Sequence, residues 1–415
     1  MDDLGERIRA LPGAERLLPA LEGLEPAWLV GGAVRDLMLG ATTVDLDVAV
    51  EGDARAVARE AAARLGGESV EHERFGTATV RAEGLVVDLA TTRRETYSQP
   101  GALPDVAPAP LDEDLARRDF TINAMAASLD PARLGELRDP HGGRGDLQAG
   151  VIRILHPGSF IDDPTRLLRA VRYESRFGFR MDAETERLAR EAIAAGAPAT
   201  VSGARIRDEL LDLLAETDSA ASPALQPPAA AVARMQDLGL DRALSPLLGD
   251  ARPDHVAAAA AAAAERGGQR RFAALAAMIA PDPEDLAGWI EDLHLRAEDR
   301  DAVLHAARKG PQLVRALEPP LPDSAIHALL HCELPETLGL AIALGARRAP
   351  IDRYLEHLRG AGLEITGDDL RGAGIPEGPA IGRALRETLR RKLDGEVTGY
   401  DAELALAVGL ARGEP

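Results

Sequence analysis

The sequence predicts an α+β protein, with a mixed-sheet head near its N-terminus and an all-α remainder. Two observations lead there. Between residues 27 and 150, short runs with period two alternate with helical stretches, whereas from about Ile161 onward the apolar spacing is helical. The chain has 415 residues, 46% of them hydrophobic, which is enough to bury more than one core.

Trp28-Leu29-Val30 reads as a short apolar strand running into Gly31-Gly32, followed by a helix that stops near Gly40. Val44-Asp45-Leu46-Asp47-Val48-Ala49-Val50 alternates apolar and acidic residues at its start, as a half-buried strand does. Ala54 to Leu65 reads as a helix. Thr77 to Arg81 and Leu85 to Ala90 read as strands joined at the Glu83-Gly84 turn. Residues 97 to 112 hold several prolines and read as a long irregular loop. Further on, Ser222-Pro223-Ala224-Leu225-Gln226-Pro227-Pro228 interrupts the helical pattern. These breaks divide the chain into a head (1–150), a neck (151–222), a body (229–350) and a tail (351–415). The tail carries glycine-rich turns around Ile375-Pro376-Glu377-Gly378 and a basic helix from Arg383 to Lys392.

The single cysteine, Cys332, excludes an intramolecular disulfide and a cysteine-built zinc site. The N-terminus carries acids where a signal peptide would be basic, and the alanine tract from Val256 to Ala264 is too short to span a bilayer. A cytoplasmic protein with no membrane partner is expected. The net charge of −20 at first speaks against nucleic acid, but a confined basic patch can hold RNA against an acidic bulk.

Gly31-Gly32-Ala33-Val34-Arg35-Asp36 puts a double glycine where a strand enters a helix, so backbone N–H groups can approach a phosphate. Asp45 and Asp47 are expected on one side of a strand, because side chains two apart share a face. Carboxylates so placed can bridge a pair of magnesium ions (Mg2+) on a triphosphate. Either feature alone is usually only a turn or a solvated edge. In this order they resemble the signature of the DNA-polymerase-β-like nucleotidyltransferase superfamily. Asp88, in Val86-Val87-Asp88-Leu89-Ala90, is an acid in an otherwise apolar strand, where an unpaired charge is costly. It is read as the third carboxylate of the metal site, with a buried salt bridge as the alternative.

In Arg117-Arg118-Asp119-Phe120-Thr121-Ile122-Asn123-Ala124, Arg118 offers a planar fork for phosphate or ribose oxygens and Asp119 an acceptor for a ribose hydroxyl. The run resembles motif B of class II CCA-adding enzymes and bacterial poly(A) polymerases. In Asp162-Asp163-Pro164-Thr165-Arg166-Leu167-Leu168-Arg169-Ala170-Val171-Arg172, an N-cap and a first-turn proline open an amphipathic helix. Arg166, Arg169, Arg172 and Arg176 fall on one face, Leu167, Leu168 and Val171 on the other. Arginines without interleaved acids repel, and a polyanion would relieve them.

This segment resembles the family's nucleotide-selecting helix. The resemblance implies that Asp163 and Arg166 read the Watson–Crick edge of the incoming base, with Arg169 and Arg172 nearer the phosphates. It also implies that Gly31, Gly32 and Arg35 hold the triphosphate, and that Asp45, Asp47 and Asp88 carry the metal chemistry. Asp162 stands where the family has glutamate. The loop after Arg93-Arg94-Glu95-Thr96-Tyr97 has Pro100-Gly101-Ala102-Leu103-Pro104 in place of the usual basic stretch, which looks more like bacteria that divide CC and A addition between two enzymes.

The three motifs cover residues 30 to 180. Beyond 230 the resemblance is loose and rests on helical content and on Ile365-Thr366-Gly367-Asp368-Asp369-Leu370. The implied reaction is attack of a tRNA 3′-hydroxyl on the α-phosphate of ATP or CTP, with the helical body and tail gripping the acceptor stem. Poly(A) synthesis is the nearest alternative. A small-molecule nucleotidyltransferase would not be expected to carry the Arg-Arg-Asp run and arginine helix, and a non-catalytic RNA-binding relic would tend to lose the acids.

Overall fold

The computed structural model describes residues 4–42, 45–72, 76–217 and 227–413. The break expected at 222–228 lies largely outside them. The chain forms two compact units, Met1–Gly249 and Asp250–Pro415.

In the first unit, α1 (Leu4–Arg9) and α2 (Ala14–Leu21) lead into β1 (Ala27–Val30), then α3 (Gly32–Met38), β2 (Leu46–Val50) and α4 (Ala54–Leu65). Asp53 caps α4 by accepting the backbone N–H groups of Arg55 and Ala56 at 3.0 and 3.3 Å. Next come β3 (Glu68–His72), β4 (Thr77–Ala82) and β5 (Leu85–Thr91), then β6 (Arg93–Thr96), β7 (Asp105–Pro108) and α5 (Leu111–Ala116). After β8 (Ala126–Ser128), β9 (Leu137–Arg138) and α6 (Gly143–Ala149), the helices α7 (Ser159–Asp162), α8 (Thr165–Phe177), α9 (Ala183–Ala194), α10 (Gly203–Ala215) and α11 (Pro227–Leu238) follow.

One mixed sheet runs in the order β3-β4-β5-β2-β1-β8-β9, with β2 and β5 parallel and the other pairs antiparallel. Leu85, Val87 and Leu89 of β5 are buried while Val86 and Asp88 between them are exposed, so one face of this half of the sheet is covered and the other open. This corrects the reading of Asp88 as a charge stranded in an apolar strand. Its carboxylate stands on the open face, where water or a cation reaches it.

Residues 97–112 are less irregular than their prolines suggested, because β7 pairs antiparallel with β6 from Arg93↔Pro108 to Thr96↔Asp105. An isolated two-stranded ribbon tolerates a proline at its end, where the missing N–H breaks no central ladder. A parallel pairing of Val151–Ile152 with Arg180–Met181 also interrupts the helical region. The first unit extends past residue 222. Arg234 of α11 bonds Glu174 of α8 at 2.7 Å and Glu186 of α9 at 2.6 Å.

The described part of the second unit is helical. The alanine-rich helix Pro253–Ala264 packs on Pro335–Ala343 and Arg270–Ile279, its small side chains permitting close approach. The basic helix appears as Pro379–Leu393 and packs on Tyr400–Arg412. Among the described residues, no helix is long and apolar enough to cross a membrane.

Candidate active site

Gly31 makes the turn from β1 into α3 at φ +65°, and a Cβ there would lie 2.6 Å from Arg118 Nη1. Only glycine meets both demands, the left-handed backbone and the close approach of the guanidinium. Arg35, one turn into α3, is buried. It donates to Asp36 Oδ1 at 2.8 Å and Asn123 Oδ1 at 2.6 Å, and lies 5.1 and 4.8 Å from the ring centres of Tyr173 and Phe177.

Asp47 on β2 and Asp88 on β5 are direct partners in the parallel ladder, and Thr79 on β4 is the next partner along the row. The Thr79 hydroxyl donates to Asp88 Oδ1 at 2.5 Å. Asp47 reaches solvent at the edge of the cleft, yet desolvation and the neighbouring Asp88 push its pKa up, with Arg118 opposing and Asp45 adding to the rise. Asp45 is exposed and lies just before β2, its carbonyl accepting the Asp47 N–H at 3.1 Å. The carboxylates are therefore set across two strands, with Asp45 one residue before β2.

Two cavities open on these groups. One, of about 480 Å³, is lined by Gly31, Gly32, Arg35, Asp47, Arg118, Asp119, Asp163, Arg166 and Arg169. The other, of about 440 Å³, is lined by Asp47, Asp88, Thr79 and His72 among others, and shares Asp47, Arg117 and Arg118 with the first. A larger cavity of about 680 Å³, between Glu51–Arg55 and Val106–Pro110, holds none of the expected catalytic or nucleotide-binding residues, and volume alone gives it no chemistry. Of the expected site residues, Asp45 and Arg172 line neither of the two joined cavities.

Asp119 is buried and held by three hydrogen bonds. Oδ1 accepts the Phe120 N–H at 2.8 Å and Asn123 Nδ2 at 2.9 Å, and Oδ2 accepts Arg169 Nε at 2.9 Å, with Arg169 Nη2 in ion-pair contact at 2.8 Å. Burial works to raise its pKa, but Arg169, Asn123 and the Phe120 amide hold it below the usual carboxylate range. Asp119 thereby orients Arg169 and Asn123 at the cavity wall.

The arginine face of α8 is also spoken for within the chain. Arg166 is buried and donates to Ser159 Oγ at 2.6 Å and the Arg117 carbonyl at 2.7 Å. Arg169 also reaches Glu209 at 3.1 Å, and Arg172 pairs with Glu216 and Asp212, each at 2.7 Å. Arg176 lies 3.8 Å from both Asp36 and Glu216. Carboxylates on and just after α10, some forty residues away, thus relieve part of the mutual repulsion read from the helix alone, at Arg169, Arg172 and Arg176.

Sequence reasoning passed over Asp114, which is buried on α5. Its Oδ1 accepts Arg117 Nε at 3.0 Å and the Arg93 N–H at 3.2 Å, and its Oδ2 accepts Arg118 Nη2 at 2.9 Å. Burial opposes its charge, but Arg118 and Arg117 keep its pKa low. Glu95, which ties Arg117 at 2.7 Å and Tyr97 at 3.1 Å, also lines the nucleotide-sized cavity. A buried acid three and four residues before consecutive arginines was the available signal.

Among the described residues no three Asp, Glu, His or Cys side chains gather into a metal cage. The donor set nonetheless fits a hard divalent cation, because Asp47 and Asp88 are oxygen donors whose like charges raise the Asp47 pKa. Cations of this kind take one or two carboxylates and complete their shell with substrate oxygens.

A strand–Gly-Gly–helix entrance facing paired carboxylates on a mixed sheet, with a helical remainder, defines a nucleotidyltransferase of the polymerase-β-like class. Residues 27–153 match the family described as poly A polymerase head domain. The chain is 30% identical over 415 residues to the CC-adding tRNA nucleotidyltransferase of Deinococcus radiodurans, covering 95% of this chain and 96% of that one. It is 37% identical over 409 residues to the A-adding tRNA nucleotidyltransferase of Geobacter sulfurreducens, covering 93% of this chain and 45% of that one. The solved structure of a CCA-adding enzyme in apo form II matches with a TM-score of 0.77 and 33% identity, covering 97% of this chain and 93% of that one. The chain belongs to the tRNA nucleotidyltransferase family. It spans less than half the length of the A-adding relatives it matches.

Proposed function

We propose that the chain adds A, C or both from ATP and CTP to the 3′ end of tRNA. The observation that carries this reading is the joining of two cavities through Asp47, Arg117 and Arg118, one walled by the Gly31-Gly32 turn and the other by Asp88. A nucleotide and an RNA end placed in them would meet at the carboxylates.

In the reaction the RNA 3′-oxygen bonds to the α-phosphorus, the bond to the bridging oxygen breaks, pyrophosphate leaves, and the hydroxyl proton is lost. Asp47 and Asp88, with Asp45 at the entry, would hold Mg2+. When bound, the cation lowers the pKa of the attacking hydroxyl and offsets charge on the departing oxygens. The backbone at Gly31-Gly32 lets the triphosphate approach, and Arg118 offers its free edge to phosphate oxygens. Arg35 and Asn123 stiffen that wall. Asp163 and Arg166 present an acceptor and a donor to the base edge, while Asp119 keeps Arg169 aimed into the cavity. Arg172 buttresses α8 against α10.

We read the chain as a catalytic head (1–150), a neck (151–222), and a body and tail (229–350 and 351–415) that contact the acceptor stem, acting in the cytoplasm. Within the family, the proline-rich loop in place of a basic one favours a divided CC and A system, and the higher identity to A-adding relatives favours A addition to a CC end within it. The test is incorporation of labelled ATP and CTP into tRNAs ending before CCA, after C and after CC. One A on the CC-ended tRNA alone identifies A addition. Three nucleotides on the shortest identify a complete enzyme, and long adenylate tracts on any RNA would instead indicate poly(A) synthesis.

A further inference from the structure

The hydrogen bonds that hold Asp163 fall on one of its two oxygens. Oδ1 accepts the Thr165 N–H at 3.1 Å, the Thr165 hydroxyl at 2.6 Å and Arg205 Nη2 at 2.7 Å. Among the described residues Oδ2 takes none, and the side chain, 19% exposed, lines the cavity of about 480 Å³. The same Arg205 guanidinium donates through Nη1 to the Gly101 carbonyl at 3.0 Å, and the Gly101 N–H reaches the Asp162 carbonyl at 3.3 Å. Gly101 sits at φ +71°, and a Cβ there would stand 2.4 Å from Thr200 Oγ1. The loop after Tyr97 is thus fastened to the start of the nucleotide-facing helix from both sides of one glycine. Arg205 lies in the first turn of α10, where a cation opposes the helix dipole, so helix stability does not explain it.

We propose that Arg205 is a specificity-determining positioning residue, fixing Asp163 so that Oδ2 alone meets the incoming base and fastening the 97–104 loop beside it. This rests on the base-reading role proposed for Asp163. An ionised carboxylate can only accept. A fixed Oδ2 therefore demands a donor, which the amino groups of adenine and cytosine supply, whereas guanine and uracil present carbonyl oxygens at that position. If Asp163 could turn, the repulsion against the wrong base would be evaded by rotation or by a bridging water, and discrimination would shrink.

The test is equilibrium binding of ATP, CTP, GTP and UTP to the full chain, which reads selectivity whether or not transfer occurs. The variants are Arg205→Gln, Arg205→Lys and Gly101→Ala. Arg205→Gln is expected to narrow the preference for the amino-bearing nucleotides about tenfold, with little change in melting temperature. Arg205→Lys, which keeps one donor, should fall between it and wild type. Gly101→Ala attacks the loop side of the fastening with Arg205 intact and should narrow the preference in the same direction. Equal weakening of all four nucleotides, with the preference kept, would make Arg205 a structural residue and overturn the proposal. Asp163→Ala separates the two layers. Lost selectivity there with retained selectivity in Arg205→Gln refutes the positioning role alone, whereas retained selectivity in Asp163→Ala removes the base-reading role beneath it.

Discussion

Asp47 and Asp88 stand opposite one another in the parallel strands β2 and β5, and the Thr79 hydroxyl closes on Asp88 from the adjoining strand. Like charges so placed weaken the apo protein locally, and a divalent cation relieves them. Added magnesium is therefore expected to raise the melting temperature of wild type, because a ligand that binds only the folded state stabilises it. Asp47→Asn should abolish most of that rise. Differential scanning fluorimetry with and without magnesium checks it, and an equal rise in both proteins would place the ion elsewhere.

Asp119 is a buried carboxylate whose partners depress its pKa. A folded-state pKa below the unfolded value of about 3.9 gives stability that is present above that pH and lost as pH falls through the folded value. Asp119→Asn should cost about 3 kcal/mol at pH 7, since it leaves Arg169 without its closest partner. The deficit relative to wild type should shrink as pH falls below about 4, where the carboxylate of the unfolded chain takes up a proton while the folded one stays ionised. Urea unfolding across that range reads both, and a deficit independent of pH would show that the ion pair is not its source.

Gly31→Ala asks a residue with a Cβ to take φ +65° against the Arg118 guanidinium. Backbone strain of about 1–2 kcal/mol and displacement of Arg118 are expected together. Melting temperature should drop modestly while KM for the nucleotide rises about tenfold. Steady-state kinetics over a nucleotide series decides it, and an unchanged KM would take the turn out of the phosphate site.

Arg172 pairs with Glu216 and Asp212, so it has little charge to offer a phosphate. Arg172→Gln is expected to leave the slope of log Kd for tRNA against log salt unaltered. A residue in direct phosphate contact would lower that slope by about one. Filter binding over a salt series distinguishes the two.

What could be read from sequence was what is local along it. The β1–Gly31-Gly32–α3 entrance, the pairing of β4 with β5 and the run at Arg117–Ala124 each declare themselves within about ten residues, by period, turn chemistry or composition. Asp88 was found for an imperfect reason. Its apolar neighbours suggested burial, whereas alternation sends Val87 and Leu89 inward and Asp88 to the open face. The partners of the α8 arginines were not legible, because Glu209, Asp212 and Glu216 come from another helix some forty residues on and only packing brings them across. The β6–β7 ribbon was hidden by its own prolines, and with it the route by which Glu95 and Tyr97 reach the cavity wall. Arg205 gave no local sign at all, since both of its partners, Asp163 and Gly101, are distant in sequence.

The proposed function requires that Asp47 and Asp88 support nucleotidyl transfer at an RNA end. Its most direct test is transfer of a single labelled AMP from ATP to tRNA ending in CC, with magnesium, by wild type, Asp47→Asn and Asp88→Asn. Wild type is expected to add the nucleotide, and each variant to lose at least about a hundredfold in rate, as removal of a metal-holding group does, with the fold intact. Equal rates in all three proteins, or no incorporation by wild type from either ATP or CTP on any tRNA end, would contradict it.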